Sequence, residues 1–320
     1  MRYGYFPGCS LERNAAAYHI SSLAVAGPLG VELQEIDDWN CCGATEYLAL
    51  NQTAAYALIA RNLAQAARNG GSGQLVAPCS ACYLNLRKTD KVLGQYPDVA
   101  GRVDQALAAG GLAYRPGSLR VRHLLDVFVN DVGFEALAAS VRRPLTGLRV
   151  APYYGCMIVR PEFHDPFDNA EYPTSMDRLL AALGAEVVDY PLKAHCCGGH
   201  MTQISEATGF EMIRQLVRGA DEVQADVIAT LCPMCQLNLD GFQGAMNRHF
   251  GTKYHVPVLY FTQLIGLAMD LKPAALGIGQ ELVSAAAALQ KIGTELEAAP
   301  APRRGKDDKS LPMPGKQAEK

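Results

Sequence analysis

Ten cysteines carry the chemistry open to this sequence, and they fall into two phrases of one form. Cys9 is followed after 32 positions by Cys41-Cys42-Gly43, and 37 positions past Cys42 comes the Cys-x-x-Cys pair Cys79 and Cys82. Cys156 is followed after 40 positions by Cys196-Cys197-Gly198-Gly199, and Cys232 and Cys235 begin 35 positions past Cys197. Thiolates are soft, charged ligands for zinc or iron-sulfur clusters, provided several converge on one point. A Cys-x-x-Cys turn offers two sulfurs on one side of the backbone. Adjacent cysteines point apart on a flat strand, so the following glycine is needed to let the chain turn and bring both sulfurs to one centre. Five thiols per half exceed the four of an ordinary cubane or zinc site. Either one is spare, or the group they hold is larger.

The bulk of the sequence must position these phrases. With 320 residues there is room for two cores, and 49% hydrophobic with 19% charged residues is ordinary for a globular protein. A formal net charge of −3 gives no overall pull toward nucleic acid or anionic membrane. The opening residues lack the apolar core of a signal peptide, and no apolar run reaches the length of a transmembrane segment. A cytoplasmic location is expected, where clustered thiols stay reduced and serve as ligands.

The fold class expected is α/β, with two similar domains built from an internal repeat and related by a pseudo-twofold axis. The first domain spans 1–145. Arg2–Phe6 reads as a strand entering the Pro7-Gly8-Cys9 turn, Asn14–Ala26 as a helix, and Val31–Ile36 as a strand leading to Cys41. A helix over Glu46–Arg68 ends at Gly70, Gly71 and Gly73, and the strand Gln74–Ala77 delivers Pro78-Cys79. The second domain, 146–297, repeats the plan: a strand into Cys156, a helix at Ser175–Leu183, a strand at Glu186–Tyr190, a helix at Ser205–Gln224 and a strand at Asp226–Thr230. After each Cys-x-x-Cys the halves nearly coincide, Tyr83-Leu84-Asn85-Leu86 against Gln236-Leu237-Asn238-Leu239. The second half is longer by 8 residues between its first two cysteine positions, which fits an inserted polar loop at Arg160–Pro173 with three prolines. A C-terminal helix is expected over Gln280–Ala298, with Leu282, Val283, Leu289, Ile292 and Leu296 on one stripe. The tail, 298–320, is rich in proline and charge and is expected to be disordered.

With the ten residues placed, the sequence resembles the CCG-domain (cysteine-rich domain) iron-sulfur family, which includes the B subunit of heterodisulfide reductase. The likeness covers about residues 1–265, and cysteine stands at all ten motif positions. It implies a thiol-disulfide oxidoreductase component with two non-cubane [4Fe-4S] clusters. Cys9, Cys41, Cys42, Cys79 and Cys82 would hold one; Cys156, Cys196, Cys197, Cys232 and Cys235 would hold the other. It further implies a larger complex with a ferredoxin-like C subunit and a flavin-bearing A subunit, because this chain has no fused ferredoxin spacing. The substrate implied is a disulfide or a protein-bound lipoate-type group, in bacterial sulfur metabolism. A disulfide takes two electrons and a cluster passes one at a time, so paired clusters facing each other would form the active site. His195 and His200 flank the second double cysteine and are the candidate catalytic proton donors; their plainer role is hydrogen bonding that tunes the site. Relatives include iron-sulfur subunits of succinate, lactate or glycolate dehydrogenases, so an electron-transfer subunit of a membrane-associated dehydrogenase is the alternative. Zinc ligation fits the long gaps poorly, and no serine-histidine constellation argues for hydrolysis.

Overall fold

The computed structural model describes residues 1–44, 47–68, 73–160 and 168–294. Two four-stranded parallel sheets form the framework. The first holds β1 (Arg2–Tyr5), β2 (Glu32–Glu35), β3 (Gln74–Ala77) and β4 (Arg120–His123) in the order β2-β1-β3-β4. The second holds β5 (Arg149–Tyr153), β6 (Glu186–Val187), β7 (Val227–Thr230) and β8 (Val258–Tyr260) in the matching order β6-β5-β7-β8. Every pairing is parallel. The inner strands are apolar on both faces because helices cover both sides; β7 is buried at every position. The helix Glu206–Glu222 shows how the cover is made, burying Phe210, Ile213, Leu216, Val217 and Ala220 at helical spacing.

In each sheet the chain moves outward from β1 or β5 to one neighbour and then crosses to the other side. Cysteines follow the C-terminal ends of the first three strands of each repeat, so both phrases gather at the switch point where open α/β sheets place their sites. The repeats pack reciprocally. The helix after the first strand of one repeat lies on the helix after the fourth strand of the other: Ala16–Ala26 on Phe261–Ala268, and Ser175–Ala182 on the helical stretch ending at Val132. Ser21 Oγ and Thr262 Oγ1 meet at 2.7 Å across this boundary.

Three expected elements differ. The helix expected over Glu46–Arg68 is two pieces, Tyr47–Leu50 and Gln52–Arg68, because the Asn51 side chain accepts the Ala54 amide at 3.0 Å and caps a new start. The strand expected through Tyr190 pairs only over Glu186–Val187, with Val188 making the last bond to β5. The C-terminal helix expected over Gln280–Ala298 is corrected to a single turn, Ala286–Leu289. Its course is set by anchors on the second repeat rather than by its own stripe. The Asp240 carboxylate accepts the amides of Leu282 and Val283, Gly293 bends at φ +88 and donates to Thr146, and Leu282 stays exposed. The tail from residue 295, Gly70 and Gly71, and residues 161–167 of the inserted loop lie outside the described residues.

Candidate metal centre

The two Cys-x-x-Cys pairs sit at helix starts. Cys79 is the N-cap of Ser80–Gln95, and Cys232 is the N-cap of Pro233–Gln236, which runs on as a wider turn through Gly241. The partner cysteines Cys82 and Cys235 lie in the first turn, where the neighbouring thiols and burial push their ionisation up, while Cys232 is pushed down. The double cysteines ride on loops after β2 and β6 that an asparagine holds down. Asn238 Nδ2 donates to Cys197 O at 3.1 Å, Cys197 Sγ at 3.4 Å and Gly199 O at 2.9 Å. Asn85, at the same place in the first repeat, donates to Cys42 O at 3.2 Å and lies 4.0 Å from Cys42 Sγ.

The sulfurs are strung pair to pair. Cys9 and Cys41 lie 3.4 Å apart, and Cys42 and Cys82 lie 3.3 Å apart. Neighbouring thiols shift one another's ionisation: Cys41 with Cys42 and Cys82 with Cys79 in the first repeat, and Cys156 with Cys196 and Cys235 with Cys197 and Cys232 in the second. Cys79 and Cys232 do the same across the repeat boundary. All ten cysteines are free; Cys9, Cys41 and Cys196 are exposed, Cys156 is half-buried, and the remaining six are buried.

Several thiols are disposed to ionise. Hydrogen bonds from Cys42 and Cys9, with the Gly43 and Ala44 amides, push the ionisation of Cys41 down. The bond from Cys156 and the Gly198 amide lower Cys196 to about 6. The residues fit a multinuclear iron-sulfur group. Five soft donors per repeat lie together, and Gly8 and Gly155 leave them space: a Cβ on either would stand 2.9 Å from Cys82 Sγ or Cys235 Sγ. Soft thiolate sulfurs are the donors that iron-sulfur groups take.

The candidate histidines lie at the edge. His195 is exposed and its carbonyl accepts the Tyr153 hydroxyl at 2.8 Å; His200 is half-buried and begins the short helix Met201–Ile204. Sequence reasoning gives no role to Asn85 and Asn238, although the shared Asn-Leu after each Cys-x-x-Cys is the signal that finds them. It also passes over Tyr18 and His123, which no repeat pattern marks.

Asn238→Ala leaves two buried carbonyls short of a donor and costs about 1–3 kcal/mol of stability. Asn85→Ala, with one such carbonyl, costs less. Chemical denaturation of the two metal-free variants measures the order.

Comparison with known proteins gives the same two-part picture. The model of the cysteine-rich domain family, CCG, matches residues 3–87 and again 150–240. The 8-methylmenaquinol:fumarate reductase membrane anchor subunit of Wolinella succinogenes is 34% identical over 88% of this chain and 97% of its own length. The B subunit of the ferredoxin/F420H2-dependent CoB-CoM heterodisulfide reductase of Methanosarcina acetivorans is 30% identical over 90% of this chain and 95% of its own. A protein of Archaeoglobus profundus, described as like the heterodisulfide reductase B subunit, is 29% identical over 85% of this chain and 92% of its own. A solved structure of a hypothetical protein from Helicobacter pylori superposes with a TM-score of 0.72 at 15% identity, over 88% of this chain and 52% of that one, a likeness of fold.

Proposed function

Because the chain belongs to the CCG cysteine-rich domain family, we propose that it is an iron-sulfur protein like the heterodisulfide reductase B subunit, and that it opens a disulfide within an oxidoreductase complex. The observation that carries this reading is the gathering of five free cysteines past the strand ends of each of two matching parallel sheets, with Cys9 beside Cys41 and Cys42 beside Cys82. Cys9, Cys41, Cys42, Cys79 and Cys82 hold one non-cubane [4Fe-4S] cluster, and Cys156, Cys196, Cys197, Cys232 and Cys235 hold the second. When bound, the clusters supply one-electron transfer, so that a two-electron disulfide is opened at a paired site. The chain's own residues do the rest. Backbone amides stabilise thiolate at Cys41 and Cys196, Asn85 and Asn238 fix the double-cysteine loops, and the buried cysteines keep water from one side of the site. The exposed cysteines Cys9, Cys41 and Cys196 mark the side from which substrate and partner arrive. Electrons come from a flavin-bearing A subunit through a ferredoxin-like C subunit, and the substrate is a disulfide or protein-bound lipoate-type group of cytoplasmic sulfur metabolism. Among the described residues no helix is long and apolar enough to cross a membrane.

The likeness to the Wolinella fumarate reductase protein favours a second reading, an electron-transfer subunit of a membrane-associated dehydrogenase that binds no disulfide. Anaerobic titration of the reduced protein with a small organic disulfide separates the two. Stoichiometric release of thiol supports disulfide chemistry; a protein reoxidised by a quinone but inert to every disulfide offered supports the relay.

His195 and His200 stand beside the second quintet as suppliers of protons to the product thiols. His195→Ala is expected to lower disulfide turnover about 10-fold or more. A turnover-pH profile superimposable on that of the parent protein removes His195 from the role.

A further inference from the structure

The boundary between the repeats holds a group of side chains that the cysteine phrases do not announce. Tyr18 is fully buried, and its hydroxyl lies 3.0 Å from Pro78 O and 3.3 Å from Leu231 O. These are the carbonyls immediately before Cys79 and Cys232, one from each repeat. The ring is held flat against Tyr260, with centroids 4.2 Å apart and planes 4° from parallel. Nothing in the corresponding helix of the second repeat, Ser175–Ala182, provides a matching tyrosine. A single hydroxyl thus serves both halves of a duplicated fold.

One hydroxyl has one proton and satisfies one carbonyl at a time. His123 is also fully buried. Its Nδ1 accepts the Leu125 amide at 3.1 Å, and its Nε2 makes no hydrogen bond among the described residues. The Tyr18 hydroxyl is therefore the donor that the two carbonyls share at the boundary, directly before Cys79 and Cys232.

We infer that the Tyr18 hydroxyl is a lock that fixes the two Cys-x-x-Cys loops against each other and sets the separation of the two quintets. Its consequence for electron exchange between clusters rests on the iron-sulfur reading; its geometric content does not. Tyr18→Phe keeps the ring stack and removes the shared donor.

The test is made on the full chain in two states. In metal-free protein treated with diamide, a thiol oxidant, the Cys79–Cys232 disulfide is quantified by peptide mass spectrometry against the Cys9–Cys41 disulfide as internal reference. The lock predicts that Tyr18→Phe lowers this ratio about fivefold or more, the equivalent of one buried hydrogen bond. In protein loaded with iron and sulfide, the same variant weakens the magnetic interaction between the two reduced clusters in the electron paramagnetic resonance spectrum while keeping full iron content. An unchanged disulfide ratio in Tyr18→Phe overturns the lock, whatever its thermal stability. A chain that binds no iron but shows the fall in ratio retires the cluster reading and leaves the lock standing.

Discussion

Cys197→Ser is expected to empty the second quintet and leave the first one filled. Serine presents a hard, neutral hydroxyl where the site asks for soft thiolate, and Cys197 is buried against the Asn238 amide. Iron and sulfide per chain, measured on anaerobically isolated protein, fall to about half of the parent value. Cys42→Ser does the same for the first quintet, and the double variant is colourless. The pair also reports on independence. The two quintets belong to separate repeats, so each single variant should retain the spectroscopic signature of the remaining site. Full iron content in Cys197→Ser would remove that residue from the ligand set.

The second large effect is on stability. Arg122 is buried at the end of β4, next to His123, and its guanidinium is shared by two carboxylates. Nε donates to Asp126 Oδ2 at 2.6 Å and Nη2 to Asp126 Oδ1 at 2.8 Å, a bidentate pair. Nη1 donates to Asp131 and, at 3.1 Å, to Gln74 Oε1; Tyr3 donates to Asp131 from the far side. Arg122→Met removes the cation at the centre of this group and leaves Asp126 buried without its counter-charge, a change that costs about 3–5 kcal/mol. Urea denaturation of the metal-free chain reads this as a shift of the midpoint.

The acid limb of the same curve has a definite sign. Burial raises the pKa of Asp131, but the Arg122 and Tyr3 hydrogen bonds and the Arg122 charge outweigh it, and the net shift is downward. A carboxylate depressed in the folded state contributes stability above its unfolded pKa, and that contribution is lost as pH falls through the folded value. The parent protein should therefore lose stability below about pH 4, and Arg122→Met should lose less over that interval.

What is legible in the sequence follows from how local each signal is. The cysteine phrases, the glycines beside them and the strands that precede them are short-range patterns, and each recurs at the same place in a repeated plan. Duplication also makes the two-sheet framework readable, since β1 to β3 and β5 to β7 each sit between a turn and a cysteine. The C-terminal segment reads as a long helix and is not one, because its hydrophobic stripe is a local pattern overruled from a distance, by the Asp240 carboxylate at one end and the Gly293–Thr146 bond at the other. Asn51 reads as a helix interior because its cap is visible only once its side chain is seen turning back on Ala54. Tyr18 is out of reach for a further reason. Its partners belong to different repeats, so no spacing within either phrase encodes them. Which strand lies beside which is equally hidden, because parallel order is fixed by crossovers rather than by turn residues.

The claim on which the rest depends is that the two quintets each hold an iron-sulfur cluster and do so side by side. Anaerobic isolation of the full chain, followed by iron and acid-labile sulfide determination and electron paramagnetic resonance of the reduced protein, measures it most directly. The account predicts about eight iron atoms per chain and two interacting paramagnetic centres. A colourless protein carrying zinc in place of iron, or a chain with iron for a single isolated centre, would contradict it.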